Sequence, residues 1–130
     1  TQRVYVVVMG TQESKDSLEN VFPATTAILD AIPQWLVSKR VISAGQAAGS
    51  YTAPWGGSVD AVSASDLTVT AWAGTPISDK VTLDPIHAPI GETSKVGEIT
   101  VTAGDRTQRV DLVTAGGLAG PGLAWRLNRN

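Results

Sequence analysis

The stretch that decides the fold is Val96-Gly-Glu-Ile-Thr-Val-Thr102, Ala103-Gly-Asp-Arg106, Thr107-Gln-Arg-Val-Asp-Leu-Val113. It contains two segments in which apolar and polar residues alternate, separated by a turn that includes Gly104 and Asp105. Alternation with a period of two is typical of a strand with one buried face, and a glycine-aspartate turn between two such runs favours a β-hairpin. The stretch therefore predicts antiparallel β-structure.

The chain on both sides of this hairpin has the same character from Gly45 onward. All but one of the 13 glycines lie in that part, so turn-forming residues are concentrated there. Short strands separated by turns predict a small all-β sandwich or barrel. The further candidate strands are residues 46–53, 59–64, 67–73 and 80–83, and the turns between them are residues 54–58, 74–76 and 84–85.

The first 43 residues follow a different pattern. Val4–Met9 is an unbroken apolar run, which indicates a central strand covered on both faces. Apolar residues at helical spacing follow it, and we expect a helix that begins with Pro23 and ends before Pro33. The sequence thus predicts two parts, residues 1–43 and residues 44–130.

The apolar run Val4–Met9 also predicts missing neighbours. Burial of six such side chains is worth on the order of 10 kcal/mol, which is comparable with the whole stability of a domain. One helix covers only one face of a strand, and unpaired edges invite aggregation. We therefore expect this strand to belong to a larger sheet that upstream sequence, or another copy of the chain, completes.

Composition and charge exclude several classes of function. The chain has 130 residues and a formal net charge of −2, without the basic patch that nucleic acid requires. It has no cysteine, which removes disulfides and thiolate metal sites, and we expect neither a metal nor a cofactor. No apolar run approaches the length of a membrane-spanning helix, and the first residues do not resemble a signal peptide.

Three segments resemble one known family, the serine D-alanyl-D-alanine carboxypeptidases or low-molecular-mass penicillin-binding proteins. Val6-Val-Val-Met-Gly10 followed by a helix resembles the last strand and helix of the catalytic domain. Ile86-His-Ala-Pro-Ile90 followed by Lys95-Val-Gly-Glu-Ile-Thr-Val101 is similar to the pattern of the C-terminal β domain. The residues that carry this second similarity are His87, Ala88, Pro89, Val96 and Gly97.

The resemblance implies a fold and an activity for the parent protein. The fold is mainly β, a small β-sandwich domain preceded by a strand and a helix of an α/β catalytic domain. The activity is acyl transfer, in which a serine attacks the bond between two terminal D-alanines. The family's Ser-x-x-Lys motif is absent here, because none of the four lysines has a serine three residues earlier. We therefore expect no catalytic residue in this chain and a missing upstream catalytic domain.

The resemblance also implies a location. The family's β domain is regarded as a stalk that holds the catalytic domain above the membrane, within reach of peptidoglycan. We therefore expect an extracytoplasmic protein of the cell envelope, held near the membrane by an anchor beyond residue 130. Arg126 and Arg129 beside Trp125 suit an anionic interface, although a solvated tail with one packed tryptophan explains them equally well. Peptidoglycan and cell-wall proteins are the candidate partners.

Single residues leave alternatives open. His87, the only histidine, is expected to be structural, since it lies in a proline-flanked turn without further metal ligands. Trp35 and Trp72 are expected to pack in a core. Trp55, beside Gly56-Gly57, either packs or serves as a surface contact. The alternative functions are a cell-wall binding module that uses Trp55 and an unrelated secreted β-sandwich interaction domain.

Overall fold

The computed structural model of the chain describes residues 4–9 and 17–128, and these residues form two compact units. The helical unit contains the described residues up to Val37 together with Thr70–Gly74. The β unit contains Ser38–Val69 and the described residues from Thr75 onward. The division predicted at residue 43 stays a prediction.

Strands dominate the described residues, so the predicted mainly β class is confirmed. Two helices flank the strands in the sequence. The elements are α1 (Ser17–Trp35), β1 (Leu36–Ile42), β2 (Ala47–Thr52), β3 (Ser58–Ser63), β4 (Leu67–Trp72), β5 (Ile77–Leu83), β6 (Lys95–Ala103), β7 (Arg106–Thr114) and α2 (Leu123–Leu127).

The predicted hairpin forms the centre of the β unit. Strands β6 and β7 pair in antiparallel register from Ala103↔Arg106 at the turn, and Gly104 adopts a φ of 61° that favours glycine. Along β6 every second side chain from Ile99 to Ala103 is buried, because one face of the strand lies on the core. Alternation in the sequence therefore becomes a one-sided core in the structure.

The strands form one large sheet and one small one. The order in the five-stranded sheet is β2-β3-β7-β6-β5, with every pair antiparallel, while β1 and β4 form a two-stranded sheet. The large sheet curves so far that its two edges approach each other: a Cβ built on Gly49 in β2 would lie 2.8 Å from a methyl group of Leu83 in β5. The sequence predicted either a sandwich or a barrel, and the curvature of this sheet makes it nearly a barrel.

The core of the β unit is apolar with two buried hydroxyl groups. Leu112 in β7 is completely buried. The hydroxyl of Ser63 donates to the carbonyl oxygen of Ser65 at 2.6 Å, and the hydroxyl of Thr114 donates to that of Gly91 at 2.7 Å. Among the described residues no buried side-chain nitrogen or oxygen lacks a hydrogen-bond partner, so these hydroxyls are compatible with burial.

Helix α1 is longer than predicted. The prediction placed its start at Pro23 and its end before Pro33, but the helix runs from Ser17 to Trp35 and contains both prolines. That prediction was wrong because a proline inside a helix removes one hydrogen bond and crowds the preceding turn without obliging the chain to leave the helix. The sequence also indicates a loop at residues 10–14, and these residues lie outside the described ones.

The predicted strand Val4–Met9 is not formed in this chain. These residues have no regular secondary structure, and the side chains of Tyr5, Val7 and Met9 are 83%, 80% and 87% exposed. The chain by itself does not test the predicted strand in a larger sheet, because a strand needs hydrogen bonds from a neighbour and no described strand pairs with these residues. The expected covering partner remains a proposal.

The tryptophans of the helical unit also differ from expectation. Trp35 and Trp72 were expected to pack in a core, but they are 59% and 49% exposed. Both lie in the same unit as Val4–Met9. This unit therefore exposes most of the large apolar side chains that the sequence predicted to be buried.

Candidate ligand-binding site

A cavity of about 530 Å³ lies in the β unit, where the end of β2, the loop after β5 and the segment after β7 meet. Its size is within the range of roughly 300–1,000 Å³ that is typical of small-molecule sites. The lining is aromatic, proline-rich and aliphatic, and it contains no carboxylate, ammonium or guanidinium group. The lining residues are Tyr51, Thr52, Ala53, Pro54, Trp55, Pro85, Ile86, His87, Ala88, Leu118, Pro121 and Trp125.

Trp55 is positioned by a tight turn. The backbone N–H of Ala53 donates to the carbonyl oxygen of Gly57 at 2.7 Å, and Gly56 adopts a φ of 95° that favours glycine. The indole N–H of Trp55 donates to the carbonyl oxygen of Ala119 at 3.0 Å. The turn and this hydrogen bond together fix the ring at the edge of the cavity.

Trp125 forms a second aromatic wall beside Trp55. The two ring centroids are 5.6 Å apart and the ring planes meet at 70°. Such an edge-to-face pair is a favourable aromatic geometry. The two half-buried indoles therefore form a corner with two nearly perpendicular ring surfaces.

The loop after β5 and the segment after β7 are joined by backbone hydrogen bonds at Leu118, which lines the cavity. Ile90 and Leu118 form an isolated antiparallel bridge, with N–H to carbonyl distances of 3.0 and 2.9 Å. Nearby, the backbone N–H of Ser94 donates to the hydroxyl of Thr114 at 3.0 Å. The segment after β7 is thereby held against the loop between β5 and β6.

Tyr51 lines the cavity and ties the sheet edges together. Its hydroxyl lies 2.7 Å from the carbonyl oxygen of Asp84 and 2.8 Å from that of Val96, so its single proton is shared between two acceptors. Burial, and secondly the negative charge of Asp84, raise the pKa of Tyr51 above its ordinary value. The hydroxyl is thus a structural donor in its protonated form.

The residues singled out from the sequence fall into two groups. Trp55, His87 and Ala88 line the same cavity, and the imidazole of His87 lies on its exposed rim. Pro89 follows Ala88 through a cis peptide bond. The other two family-pattern residues, Val96 and Gly97, are buried in β6 and do not line the cavity.

Gly97 has a packing role. A Cβ at this position would collide with the backbone carbonyl of Thr82 in the neighbouring strand β5. The register of β6 against β7 shifts between Lys95 and Gly97, which marks a bulge. The valine-glycine pair therefore serves a close approach of two strands at a bulge.

Sequence reasoning did not single out several residues of the cavity lining, among them Tyr51, Leu118 and Pro121. Tyr51 is one of two tyrosines and lies in an ordinary strand pattern, so nothing local marks it. Leu118 and Pro121 lie in a glycine-rich segment without periodicity. Only their spatial meeting with Trp55, more than 60 residues earlier in the sequence, reveals the site.

The ionisable side chains among the residues that line the cavity are those of Tyr51 and His87. The cavity has no carboxylate to act as a general acid or base, and among residues 4–9 and 17–128 no group of His, Asp and Glu side chains is placed to hold a metal ion. No helix within these described ranges is long and apolar enough to cross a membrane.

Comparisons with known proteins establish the fold. No protein-family model and no curated protein sequence matches the chain. Solved structures that are similar to it include penicillin binding protein 5 from Haemophilus influenzae, with a TM-score of 0.58 and 13% identity over 74% of this chain and 30% of that chain. The D-alanyl-D-alanine carboxypeptidase DacD from Francisella tularensis has a TM-score of 0.55 and 16% identity over 79% of this chain and 28% of that chain. The peptidoglycan synthesis regulatory factor PBP3 from Streptococcus pneumoniae has a TM-score of 0.54 and 19% identity over 82% of this chain and 33% of that chain.

The similarity covers most of this chain but only part of the other proteins. The chain corresponds to 28–33% of their length. At such low sequence identity the agreement concerns the fold. The resemblance deduced from the sequence is thus confirmed at that level: the chain shares a fold with low-molecular-mass penicillin-binding proteins and D-alanyl-D-alanine carboxypeptidases.

Proposed function

We propose that this chain is the C-terminal portion of a peptidoglycan D-alanyl-D-alanine carboxypeptidase of the cell envelope. In this proposal the β unit is a stalk or docking domain for the catalytic domain. The observation that carries the proposal is the common fold, which extends over 74–82% of this chain in three penicillin-binding proteins or carboxypeptidases. The sequence similarity around His87–Pro89 and Val96–Gly97 supports the same family.

The catalytic chemistry is assigned to the remainder of the parent protein. This chain lacks a Ser-x-x-Lys motif, and its cavity has no charged group that would activate a nucleophile. The chain spans about a third of the length of the solved proteins, which leaves room for a complete catalytic domain. The parent is thus proposed to be a serine hydrolase, and this chain a non-catalytic part of it.

Exposed apolar side chains in the helical unit support a covering partner. Phe22 and Trp35 are 66% and 59% exposed, and Ile28 and Leu29 on the same helix are exposed as well. A soluble protein seldom leaves so much apolar surface in water unless another surface covers it. The proposed cover is the upstream catalytic domain, and a second copy of this chain is the alternative.

Labelling with a fluorescent penicillin tests the enzymatic part of the proposal. The full-length parent is expected to form a covalent adduct on a serine outside these 130 residues, and this chain is expected to form none. A parent that hydrolyses no D-alanyl-D-alanine peptide and takes no label would refute the family assignment. An adduct on this chain would refute its non-catalytic role.

Hydrogen exchange tests the covering partner. The amides of residues 4–9 are expected to exchange quickly in this chain and slowly in the full-length parent, since pairing in a larger sheet protects them. Equal, fast exchange in both proteins at any concentration would contradict the proposal. Protection that rises with the concentration of this chain alone would indicate a second copy as the cover.

A domain exchange separates a stalk from a docking surface. In the full-length parent, residues 44–130 are replaced by an unrelated β domain of similar length. A stalk predicts that the exchanged protein still trims peptidoglycan in intact sacculi, whereas a docking surface predicts that trimming of sacculi falls while hydrolysis of a soluble peptide is unchanged. If hydrolysis of the soluble peptide were lost as well, both roles would be contradicted, since the β unit would then support catalysis itself.

A further inference from the structure

The cavity in the β unit has features that restrict the chemistry of a ligand. Twelve residues line it, and none is an aspartate, glutamate, lysine or arginine. A charged ligand that entered would lose hydration without gaining a counter-charge, which is costly. The lining therefore favours a ligand without net charge.

The aromatic corner restricts the shape. The rings of Trp55 and Trp125 meet at 70° with centroids 5.6 Å apart, so a flat ring that stacks on one indole contacts the other with its edge. The face of an indole is electron-rich and attracts the partial positive charge of C–H groups. A saturated ring with C–H groups on one face and polar groups around its edge fits this corner.

The polar groups at the cavity restrict the ligand further. The indole N–H of Trp55 and the hydroxyl of Tyr51 already donate to backbone carbonyls of the chain. Thr52 and His87 are the other polar residues of the lining, and they are too few to pair the successive backbone amides of an extended peptide. The imidazole of His87 lies on the exposed rim, where it can bond to hydroxyl or amide groups that project from the edge of a ring.

The site is preformed. The turn that carries Trp55, its bond to Ala119 and the bridge between Ile90 and Leu118 hold the walls in place without a ligand. A preorganised site loses little conformational entropy when it binds. This distinguishes the cavity from a gap between mobile loops.

We propose that this cavity is a binding site for an uncharged saccharide, which stacks on the Trp55/Trp125 corner and bonds to His87. The choice of an N-acetylated sugar as the probe rests on the proposed function, because glycan strands of peptidoglycan consist of such sugars. The binding itself depends only on the cavity. Occupation would hold the β unit against a glycan strand, in addition to any role as a spacer.

The test is a titration of the 130-residue chain, labelled with ¹⁵N, with the tetramer of N-acetylglucosamine. The chain has four tryptophans, so four indole signals report on the site and on its surroundings. The signals of Trp55 and Trp125 and the backbone signals near His87 are expected to shift, while those of Trp35 and Trp72 stay in place. The de-N-acetylated, cationic tetramer and a proline-rich decapeptide are titrated separately as comparison ligands.

Variants locate the site. Trp55→Ala and His87→Ala are each expected to weaken binding by about tenfold or more, the factor that corresponds to the loss of one good contact. Trp72→Ala, at an exposed tryptophan of the helical unit, is the matched control and is expected to bind like the wild type. Because Trp55→Ala removes packing, its backbone spectrum is first compared with that of the native fold. If Trp55→Ala does not fold, the result for His87→Ala, at an exposed position, decides the test.

Several outcomes would overturn the inference. They are the absence of shifts at millimolar tetramer, binding that His87→Ala leaves unchanged, equal binding of the cationic tetramer, and binding of the proline-rich peptide in place of the sugar. None of these results affects penicillin labelling of the full-length parent. A failure here is therefore distinguishable from a failure of the proposed function.

Discussion

The hydroxyl of Tyr51, in edge strand β2, lies 2.7 Å from the carbonyl oxygen of Asp84, which follows the opposite edge strand β5. The same hydroxyl lies 2.8 Å from the carbonyl oxygen of Val96. One side chain thereby links the two ends of the five-stranded sheet. The contact lies where the two edges of the sheet approach each other, beside the cavity that Tyr51 lines.

Tyr51→Phe tests the contribution of this link to stability. The ring still packs, but the carbonyl oxygens of Asp84 and Val96 lose their shared donor, and the free energy of unfolding is expected to fall by about 1–2 kcal/mol. Urea denaturation followed by circular dichroism measures the change. Tyr5→Phe is the matched control, because Tyr5 is 83% exposed, and its unfolding is expected to be unchanged.

The raised pKa of Tyr51 predicts a dependence on pH. The folded chain retains the phenolic proton at pH values where the unfolded chain has lost it. The contribution of the Tyr51 proton to the free energy of unfolding is therefore complete below the ordinary tyrosine pKa of about 10. This contribution disappears as the pH rises through the higher pKa of the folded state. The stability difference between the wild type and Tyr51→Phe is expected to shrink as the pH rises above about 10.

The pKa of Lys95 is also raised, but this does not affect the comparison between the wild type and Tyr51→Phe. Its pKa is raised above the ordinary value, first by the hydrogen bond to Asp111 and then by the charge of that carboxylate. Since Lys95 is present in both proteins, its effect cancels in the difference. Urea midpoints at several pH values on both sides of 10 provide the measurement, and a difference that stays constant with pH would contradict the assignment.

The sequence predicted the strands where alternation and turn residues agreed. The β6–β7 hairpin is the best example, because its pattern and its Gly104 turn are both local signals. Strand β1 was missed, since Ser38-Lys39-Arg40 interrupts its apolar residues with three polar ones in succession. Its pairing with β4 is a contact between distant residues that no local pattern encodes.

The candidate site was predicted only in part, for a similar reason. The glycines beside Trp55 marked that residue as accessible, and the resemblance marked His87. The meeting of Trp55 with Trp125 depends on a chain of long-range contacts, including the bridge between Ile90 and Leu118. Such contacts follow from closure of the sheet and are not visible in residue spacing.

Leu112→Ala tests the position of the core. Leu112 is completely buried in β7, so truncation removes apolar contacts and leaves a cavity. The free energy of unfolding is expected to fall by about 2–5 kcal/mol. Leu123→Ala, at a leucine that is 77% exposed, is the control and is expected to change stability by less than about 0.5 kcal/mol. Equal effects in a thermal or urea denaturation experiment would place the core elsewhere.

Gly97→Ala tests the close approach of β5 and β6. A methyl group at this position meets the backbone carbonyl of Thr82, and backbone in a paired strand cannot move aside as a flexible side chain would. The expected loss of stability is therefore at the upper end of overpacking effects, about 3 kcal/mol. Urea denaturation measures it, together with the amide signals of β5, which are expected to shift.

Gly116→Ala is the matched control for this variant. No atom lies within 4 Å of a Cβ at Gly116, so the added methyl group meets open space. Because alanine also reduces the freedom of the unfolded chain, the change is expected to be neutral or slightly stabilising. If Gly97→Ala were as stable as Gly116→Ala, β5 would have to lie farther from β6 at Gly97. The valine-glycine pair would then need an explanation other than strand packing.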